Sequence, residues 1–283
     1  MNARLFFRAG WALALSLMLI TRSYGQQPAP QRQYSEVMYH KIKPGHTLEE
    51  ALAIEKEWKK IHQVQLDNGH ISGWFVISKY LSSNPDRQAY DYVTIKNFTD
   101  FAVFGNSYPE SHLEKTFGST TKDKWADLLK RTGEVQEGIK VEIWEGVDAV
   151  WNEKQLSPDK SPIWVIDLMR VKDGKDAEYV AMEKDMKKLH QERIKMNNIT
   201  GWNLAALKYP GGSENGYNYA TVNYFGNAKE MGDTRYGEAF QKVMAGQDVN
   251  KLVSRIYQTR DLVRQEIYIL REFAVKQPAL AAK

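Results

Sequence analysis

Residues 55–74 read EKEWKKIHQVQLDNGHISGW, and residues 183–202 read EKDMKKLHQERIKMNNITGW. The two segments align without a gap at an offset of 128, and nine of the twenty positions are identical. The match continues on both sides, because KIKPG at 41–45 answers RVKDG at 170–174, and YDYVTIKNF at 90–98 answers YNYATVNYF at 217–225. Two copies of so long a unit predict tandem domains rather than a solenoid. We predict domains over 34–146 and 161–272, a linker over 147–160 and a C-terminal tail over 273–283.

The first copy predicts the element order β-α-β-β-α-β. An extended stretch over 36–43 ends at Pro44-Gly45, a turn signal, and Thr47 can cap a helix that continues to about residue 66. Strands over 71–80 and 90–98 flank the turn sequence SSNPDR. A helix over 122–131 and a strand over 139–145 complete the copy. This order is the ferredoxin-like split βαβ motif, and the predicted fold class is therefore α+β.

Composition excludes several kinds of protein. The 283 residues are 42% hydrophobic and 12% aromatic, as in ordinary globular domains, and none is cysteine. Disulfides, thiolate zinc sites, iron–sulfur clusters and cysteine nucleophiles are therefore excluded. The sequence has no Walker loop, Gly-x-Gly-x-x-Gly, His-Glu-x-x-His or Gly-x-Ser-x-Gly motif. Six unclustered histidines do not predict a dedicated metal site.

The first 25 residues differ from the rest. Arg4 and Arg8 precede an apolar run over 9–20, and small residues stand three and one positions before Gln26. This is the pattern of a secretory signal peptide, and the run is shorter than the roughly 20 residues that span a bilayer. Loss of Arg4, Arg8 and Arg22 lowers the 39 basic residues by three, to 36, against 35 acidic ones. We expect a secreted or periplasmic chain that leaves the membrane after cleavage and does not bind nucleic acid. An uncleaved membrane anchor is the alternative.

The repeated pattern resembles a known superfamily. A strand ending in Ile-Lys-Pro-Gly, an amphipathic helix, a Gly-Trp strand and a Tyr-x-Tyr strand are similar to the dimeric α+β barrels, which include antibiotic-biosynthesis-monooxygenase-like and NIPSNAP-like domains. The resemblance covers nearly all of 34–272 and implies two four-stranded sheets that close into one barrel. Two copies in one chain then form a monomeric pseudo-dimer, alone or within a higher homo-oligomer. Members include cofactor-free oxygenases, haem-handling enzymes and domains without known activity, so the fold alone does not define a reaction.

Two equivalent histidines are the first candidate catalytic residues. His62 and His190 each lie at the edge of the predicted helix face that packs on the sheet. A neutral imidazole there suits a base, a haem ligand or a hydrogen-bond donor to a ligand. The structural interpretation is a half-buried histidine that bonds a neighbouring strand in both copies. Glu55 and Glu183 lie seven residues earlier, roughly 10 Å along the helix, too far for a direct hydrogen bond.

Asp167 is the third candidate catalytic residue, because it lies in the apolar strand IWVIDLMRV and corresponds to Met38 in the first copy. A buried carboxylate is costly unless it is paired or functional. If this strand face lines the barrel, Asp167 and His40 approach each other across the pseudo-twofold axis and form one asymmetric site. The alternative is a structural carboxylate that accepts bonds from a neighbouring tyrosine or lysine.

The sequence leaves three functions open. The first is a binding protein that holds a small, largely apolar molecule in the barrel, and the second is a cofactor-independent oxygenase or haem-handling enzyme. The third is a non-catalytic envelope interaction protein whose own side chains fill the barrel. Aromatic residues at matching strand positions suit packing or a flat ligand equally. The residues predicted to line the ligand site are His40, Glu55, Trp74, Tyr92, Glu183, Trp202 and Tyr219.

Overall fold

A computed structural model of the chain describes residues 32–83 and 89–276. The predicted signal peptide, most of the SSNPDR turn and the end of the predicted tail lie outside the described residues. Within the described ranges, no helix is long and apolar enough to cross a membrane.

The first half has the predicted element order, with two short helices added before the last helix. Its elements are β1 (Tyr34–Ile42), α1 (Leu48–Asp67), β2 (Gly73–Ser82), β3 (Tyr92–Phe98), α2 (Ala102–Gly105), α3 (Glu110–Phe117), α4 (Thr121–Val135) and β4 (Gln136–Trp151). The strand predicted over 139–145 is thus longer and includes the first residues of the segment predicted as a linker. It is long because it pairs with β1 along one edge and with a strand of the second half along the other.

The second half repeats this order. Its elements are β5 (Ile163–Val171), α5 (Asp176–Lys195), β6 (Gly201–Tyr209), β7 (Tyr219–Phe225), α6 (Ala228–Gly232), α7 (Tyr236–Val243), α8 (Val249–Thr259) and β8 (Arg260–Val275).

Local sequence explains how each half turns from its first strand into its long helix. Gly45 and Gly174 follow β1 and β5 with φ of 91° and 74°, a region that a side chain with a Cβ rarely occupies. Thr47 then caps α1, since its Oγ1 accepts a bond from Glu50 N at 3.2 Å. Glu50 Oε2 accepts from Thr47 N at 2.8 Å, which completes a capping box.

Eight antiparallel strands close into one barrel in the order β1-β3-β2-β8-β5-β7-β6-β4. Each half contributes four adjacent strands, and two ladders join the halves. One ladder pairs β2 with β8 and has Gly73 opposite Val275 at one end. The other ladder pairs β4 with β6 and has Trp151 opposite Gly201 at one end. The prediction that the two copies form one pseudo-dimeric α+β barrel is confirmed.

The strands are buried on both faces, which gives the molecule separate cores. One core lies between the helices and sheet of the first half and includes Trp58 and Trp74. A second lies between α5 and the sheet of the second half and includes Trp202. The barrel lumen holds further clusters, whose aromatic members are Tyr39, Tyr90, Trp144, Trp164, Tyr217, Tyr224 and Tyr268.

Candidate functional site

The lumen contains a completely buried carboxylate from the first half. Glu142 accepts hydrogen bonds from Tyr39 Oη and Tyr217 Oη, each at 2.8 Å, and from Trp144 Nε1 at 3.1 Å. Lys140 Nζ lies 2.5 Å from the same carboxylate. Because Tyr217 belongs to the second half, this bond links the two copies across the lumen.

A second lumenal carboxylate, from the second half, is bound in the same way. Glu266 accepts from Tyr90 Oη at 2.5 and 2.6 Å, from Tyr268 Oη at 2.7 Å and from Ser82 Oγ at 2.7 Å. Arg264 Nη1 lies 3.8 Å from Glu266 Oε1. Here Tyr90 comes from the first half, so the two carboxylates form reciprocal links between the copies. Such networks stabilise only when every member has a partner, as here.

The sequence comparison missed this pair, although a signal for it exists. Lys140-x-Glu142-x-Trp144 aligns with Arg264-x-Glu266-x-Tyr268 at an offset of 124. The earlier parts of the repeat align at 127 to 129, so a three-residue deletion before β8 hides the match. Once aligned, the motif places a cation, a carboxylate and an aromatic residue on the same strand face, because strand side chains alternate with period two.

The histidines lie outside the lumen. His62 is 3% exposed between α1 and the sheet, its ring stacks on Trp74 at 4.9 Å, and its Nδ1 lies 3.0 Å from Gln65 Oε1. Burial lowers the pKa of His62 to about 3. His190 stacks on Trp202 at 4.8 Å, and burial and Arg193 lower its pKa. The expectation that these residues border a pocket in the barrel is therefore corrected, since both pairs belong to the helix–sheet cores.

The histidines do not fit a haem. A macrocycle needs an open space beside the ligating nitrogen, whereas His62 and His190 are packed face-on against indoles and are each 3% exposed. His40 is equally enclosed, because its ring stacks on Tyr92 at 4.5 Å and its Nε2 lies 2.9 Å from Thr94 Oγ1. Neutral imidazoles at these places serve packing.

The first half brings three predicted ligand residues together in a closed polar cluster. Tyr92 Oη donates to Glu55 Oε1 at 2.7 Å, Gln136 Nε2 donates to the same oxygen at 3.0 Å, and Gln136 Oε1 also lies within hydrogen-bond distance of Tyr92 Oη. His40 covers the Tyr92 ring. Burial raises the pKa of Glu55 to about 7, against the lowering effect of Tyr92 and Gln136.

Asp167 and His40 do not meet. β1 pairs with β3 and β4, whereas β5 pairs with β7 and β8 on the other side of the barrel. Alternate residues Trp164, Ile166 and Leu168 of β5 pack in the lumen, so Asp167 faces the helices. The predicted encounter across the pseudo-twofold axis is wrong because both side chains occupy the strand faces that point away from it.

Asp167 instead joins Glu183 and Arg260 beneath α5. Burial raises the pKa of Glu183 to about 7, while Tyr179 and Arg260 lower it and Asp167 raises it. Burial also raises the pKa of Asp167, which accepts one bond, from Gln265 Nε2 at 2.8 Å. Arg260 Nε is buried without a hydrogen-bond partner. Among the described residues, Arg260 forms no ion pair within 4 Å, so its charge faces carboxyl groups that it does not bind directly.

Exchanges between the halves explain why the two clusters differ in charge. Gln136 of the closed cluster corresponds to Arg260, and Met38 corresponds to Asp167. Gln65, which bonds His62, corresponds to Arg193, so both glutamines of the first half are arginines in the second.

Arg193 is also a cation without a carboxylate partner among the described residues. It is 1% exposed, and its Nε and Nη1 donate to Asn198 Oδ1 at 2.8 Å and Asn223 Oδ1 at 3.0 Å. Its guanidinium lies 4.0 Å from the Tyr236 ring, and Tyr236 in turn interacts with Asp167 and Glu183. Asp167, Glu183, Arg193 and Arg260 together form what we call the layer beneath α5. It contains two arginines where the equivalent layer of the first half has two glutamines, and it is therefore richer in positive charge.

The aromatic residues divide between the faces. Tyr90 and Tyr217 lie in the lumen, whereas Tyr92 and Tyr219 lie on the helix side. Tyr219 packs on Tyr179 at 4.9 Å, which forms one wall of the layer beneath α5. In the described part of the chain, no group of three or more histidine and acidic side chains has the geometry to hold a metal ion.

Known proteins share the fold. No family profile matches this chain, and no curated protein matches it. A candidate monooxygenase from Fusobacterium nucleatum superposes with a TM-score of 0.52 over 87% of this chain and 94% of its own, at 11% identity. A candidate monooxygenase from Lactobacillus acidophilus superposes with a TM-score of 0.47 over 87% of this chain and 97% of its own, at 11% identity. A haem-binding protein from Thermus thermophilus superposes with a TM-score of 0.45 over 85% of this chain and 91% of its own, at 8% identity. What the similarity shows is the fold, an α+β barrel of eight strands with both halves in one chain.

Proposed function

We propose that the layer beneath α5 is a small-molecule site in which a carboxylate accepts a proton from the ligand and a guanidinium stabilises the resulting anion. The observation that supports this is the pair of arginines, Arg193 and Arg260, at positions where the first half has glutamines. Neither arginine has a carboxylate within ion-pair distance among the described residues, and Arg260 Nε lacks any partner. A buried donor without a partner costs about 1–3 kcal/mol, and an oxyanion ligand removes that cost.

The carboxyl groups of Glu183 and Asp167 suit the transfer of a proton from the ligand. A general base works best when its pKa lies near the working pH, and burial raises the pKa of Glu183 to about 7. Asp167, also raised, lies close enough to influence Glu183 and is partly exposed, so it connects the buried carboxyl group with solvent. Two interacting carboxyls of this kind share one proton more readily than they ionise together.

The surroundings suggest the class of ligand. Tyr179, Tyr219 and Tyr236 give the layer aromatic walls, which suit a flat, largely apolar body. The reacting group must lose a proton to a carboxylate and leave an anion beside Arg260. A phenol or an enolisable carbonyl compound has this chemistry.

Reaction with dioxygen follows from such an anion in cofactor-independent oxygenases, one of the classes that the fold resemblance includes. When an activated CH₂ group becomes C=O, the substrate supplies all four electrons, one oxygen atom enters the product and the other leaves as water. The residues of this chain then need only bind the substrate, accept its proton and exclude bulk water. Because the histidines do not fit a haem, no step is assigned to one.

The test combines binding, measured with a hydroquinone and a 1,3-diketone, and oxygen uptake, measured with the 1,3-diketone because it carries the activated CH₂ group that the reaction requires. Glu183→Gln and Arg260→Gln should each lower substrate-dependent oxygen uptake by about 10²-fold or more. Glu55→Gln changes the equivalent carboxyl of the other half and is the matched control, which should keep full activity. Uptake should rise with pH through about 7 as the base ionises.

Two results would contradict the proposal. Saturable binding that is lost in Arg260→Gln, with no oxygen uptake in the unmodified protein, would leave a binding protein and remove the proton-transfer step. Failure of both probes to bind, or an equal loss in Glu55→Gln, would remove the site itself.

We also propose that the protein acts outside the cytoplasm, because residues 1–25 have the pattern of a secretory signal peptide. An exported enzyme that needs no cytoplasmic cofactor is consistent with the chemistry proposed above.

A further inference from the structure

A cavity opens at one end of the barrel, on the lumenal side and away from α5. β1 and β2 end there and β3 begins there, as their antiparallel pairing requires. The cavity has a volume of about 280 Å³ and is lined by Lys79, Tyr80, Leu81, Ser82 and Asp91. At about 30 Å³ for each water molecule, it has room for a small organic molecule.

Positive charge converges on this cavity. Lys79 lies 4.1 Å above the ring of Tyr90, the tyrosine that binds Glu266 in the lumen. Burial lowers the pKa of Lys79, Glu266 and Asp91 raise it, and Lys41 and Arg264 lower it. Lys41 Nζ lies 3.5 Å from Asp91, which lines the cavity. A cluster of cations at a cleft with low-dielectric walls attracts anions strongly.

The carboxylates beside the cavity already have donors. Asp91 Oδ2 accepts from the backbone N of Ile42 at 2.8 Å and lies 3.5 Å from Lys41 Nζ. Glu266 is 1% exposed and is bound by two tyrosines and Ser82. Among the described residues, the closest ion-pair contact of Arg264 is 3.8 Å, longer than a hydrogen bond, and its side chain also bonds Tyr90. A guanidinium has five N–H donors, so Arg264 adds a positive charge with further donor capacity at the lumenal end of the cavity.

The second half shows that the fold does not need a cation at the position of Lys79. Its equivalent at an offset of 128 is Leu207, which packs in the lumen against Trp144 and Tyr217. The barrel is therefore closed by an apolar side chain at one of the two equivalent positions and bordered by a lysine at the other.

We infer that the barrel end at Lys79 is a second binding site, for a small molecule that carries an oxyanion group, either carboxylate or phosphate. Lys79, Lys41 and Arg264 hold the anion, and the exposed side chains of Tyr80 and Leu81 contact its remainder. This site is separate from the one beneath α5, because the β-sheet lies between lumen and helices.

The test uses thermal unfolding of the full chain with inorganic phosphate or succinate as probes, against sodium chloride at equal ionic strength. A ligand that binds only the folded state raises the melting temperature. Lys79→Gln and Lys41→Gln should each weaken binding about tenfold, as expected for loss of one charge-assisted contact. Lys79→Arg keeps the charge and should bind. Lys60→Gln, on the exposed side of α1, is the control of equal charge change.

The outcomes separate clearly. Stabilisation by phosphate alone identifies a phosphate group, and stabilisation by both probes identifies a general oxyanion site; either supports the inference if Lys79→Gln or Lys41→Gln reduces it. If neither probe stabilises the protein beyond chloride, or Lys60→Gln reduces binding as much as the two cavity variants, the inference is wrong. Oxygen uptake beneath α5 does not enter this readout, so the two sites succeed or fail independently.

Discussion

Replacing Glu55 with glutamine should remove one of the contributions by which folding stability falls as the pH rises. Glu55 is 3% exposed, and its Oε1 accepts bonds from Tyr92 and Gln136. Burial raises its pKa from an ordinary 4.5 to about 7. Glutamine has nearly the same shape and retains an acceptor oxygen for Tyr92, so the packing of α1 is conserved while the titrating group disappears.

The sign follows from proton linkage. Between pH 4.5 and about 7 the folded chain keeps a proton on Glu55 that the unfolded chain has lost, so the contribution of this group to stability falls as pH rises through this window. Each pKa unit corresponds to about 1.4 kcal/mol, and the whole rise therefore to about 3 kcal/mol, which is reached above pH 7. Glu183 adds a similar term from the second half. The buried neutral histidines His40, His62 and His190 act in the opposite direction below about pH 6.5, and Glu55→Gln leaves their contribution unchanged. The variant should lose about half of the slope that the two carboxyl groups contribute.

Urea unfolding followed by tryptophan fluorescence between pH 4.5 and 8.5 measures this effect. The variant should be close to the unmodified protein in stability at pH 5 and more stable by about 3 kcal/mol at pH 8. Glu114→Gln changes an exposed carboxyl and should leave the slope unaltered. If the stability difference between Glu55→Gln and the unmodified protein is the same at pH 5 and at pH 8, the assignment of a neutral buried carboxyl group is refuted.

Other substitutions test the packing and the link between the halves, and one measurement tests export. Gly201→Ala should destabilise the protein by about 1–3 kcal/mol in urea unfolding, because the added Cβ would overlap the Trp151 ring, whereas Gly133→Ala meets open space and should not destabilise it. Tyr217→Phe should cost about 1–3 kcal/mol in the same assay, since Glu142 loses a donor, while Tyr257→Phe on the surface should be neutral. Mass spectrometry of protein from a cell-envelope fraction should find Gln26 at the N-terminus, and a chain that retains residues 1–25 would contradict cleavage.

The repeat predicted much of the fold because it combines two independent signals. A helix over 48–67 with its cap, and the strands on either side, follow from local periodicity and turn residues. Their recurrence at an offset near 128 then predicts a symmetric arrangement, and eight strands of suitable pattern can bury every edge only by closing into a barrel. The network around Glu142 and Glu266 was missed because a three-residue deletion hides its repetition.

The candidate site was harder to predict, since both faces of these strands are buried. The alternation of side chains along a strand divides its residues into two sets, but it does not identify which set faces the lumen. His40 and Asp167 were therefore placed in the barrel, whereas each contacts the helix side of its own half. The pairing of Gln136 with Arg260 across the copies is visible only after the register of β4 and β8 is known.

The sequence alone determined that one ferredoxin-like unit occurs twice, the order of its helices and strands, and that cysteine chemistry is absent. These properties depend on neighbours in the chain and on residue identity. The tertiary structure alone decided which strand faces meet, so that two carboxylates are bound by tyrosines inside the barrel and two arginines are left beneath α5 without ion partners among the described residues. The burial of a side chain and the electrostatic field around it depend on all the residues that surround it, and those residues come from both copies of the repeat.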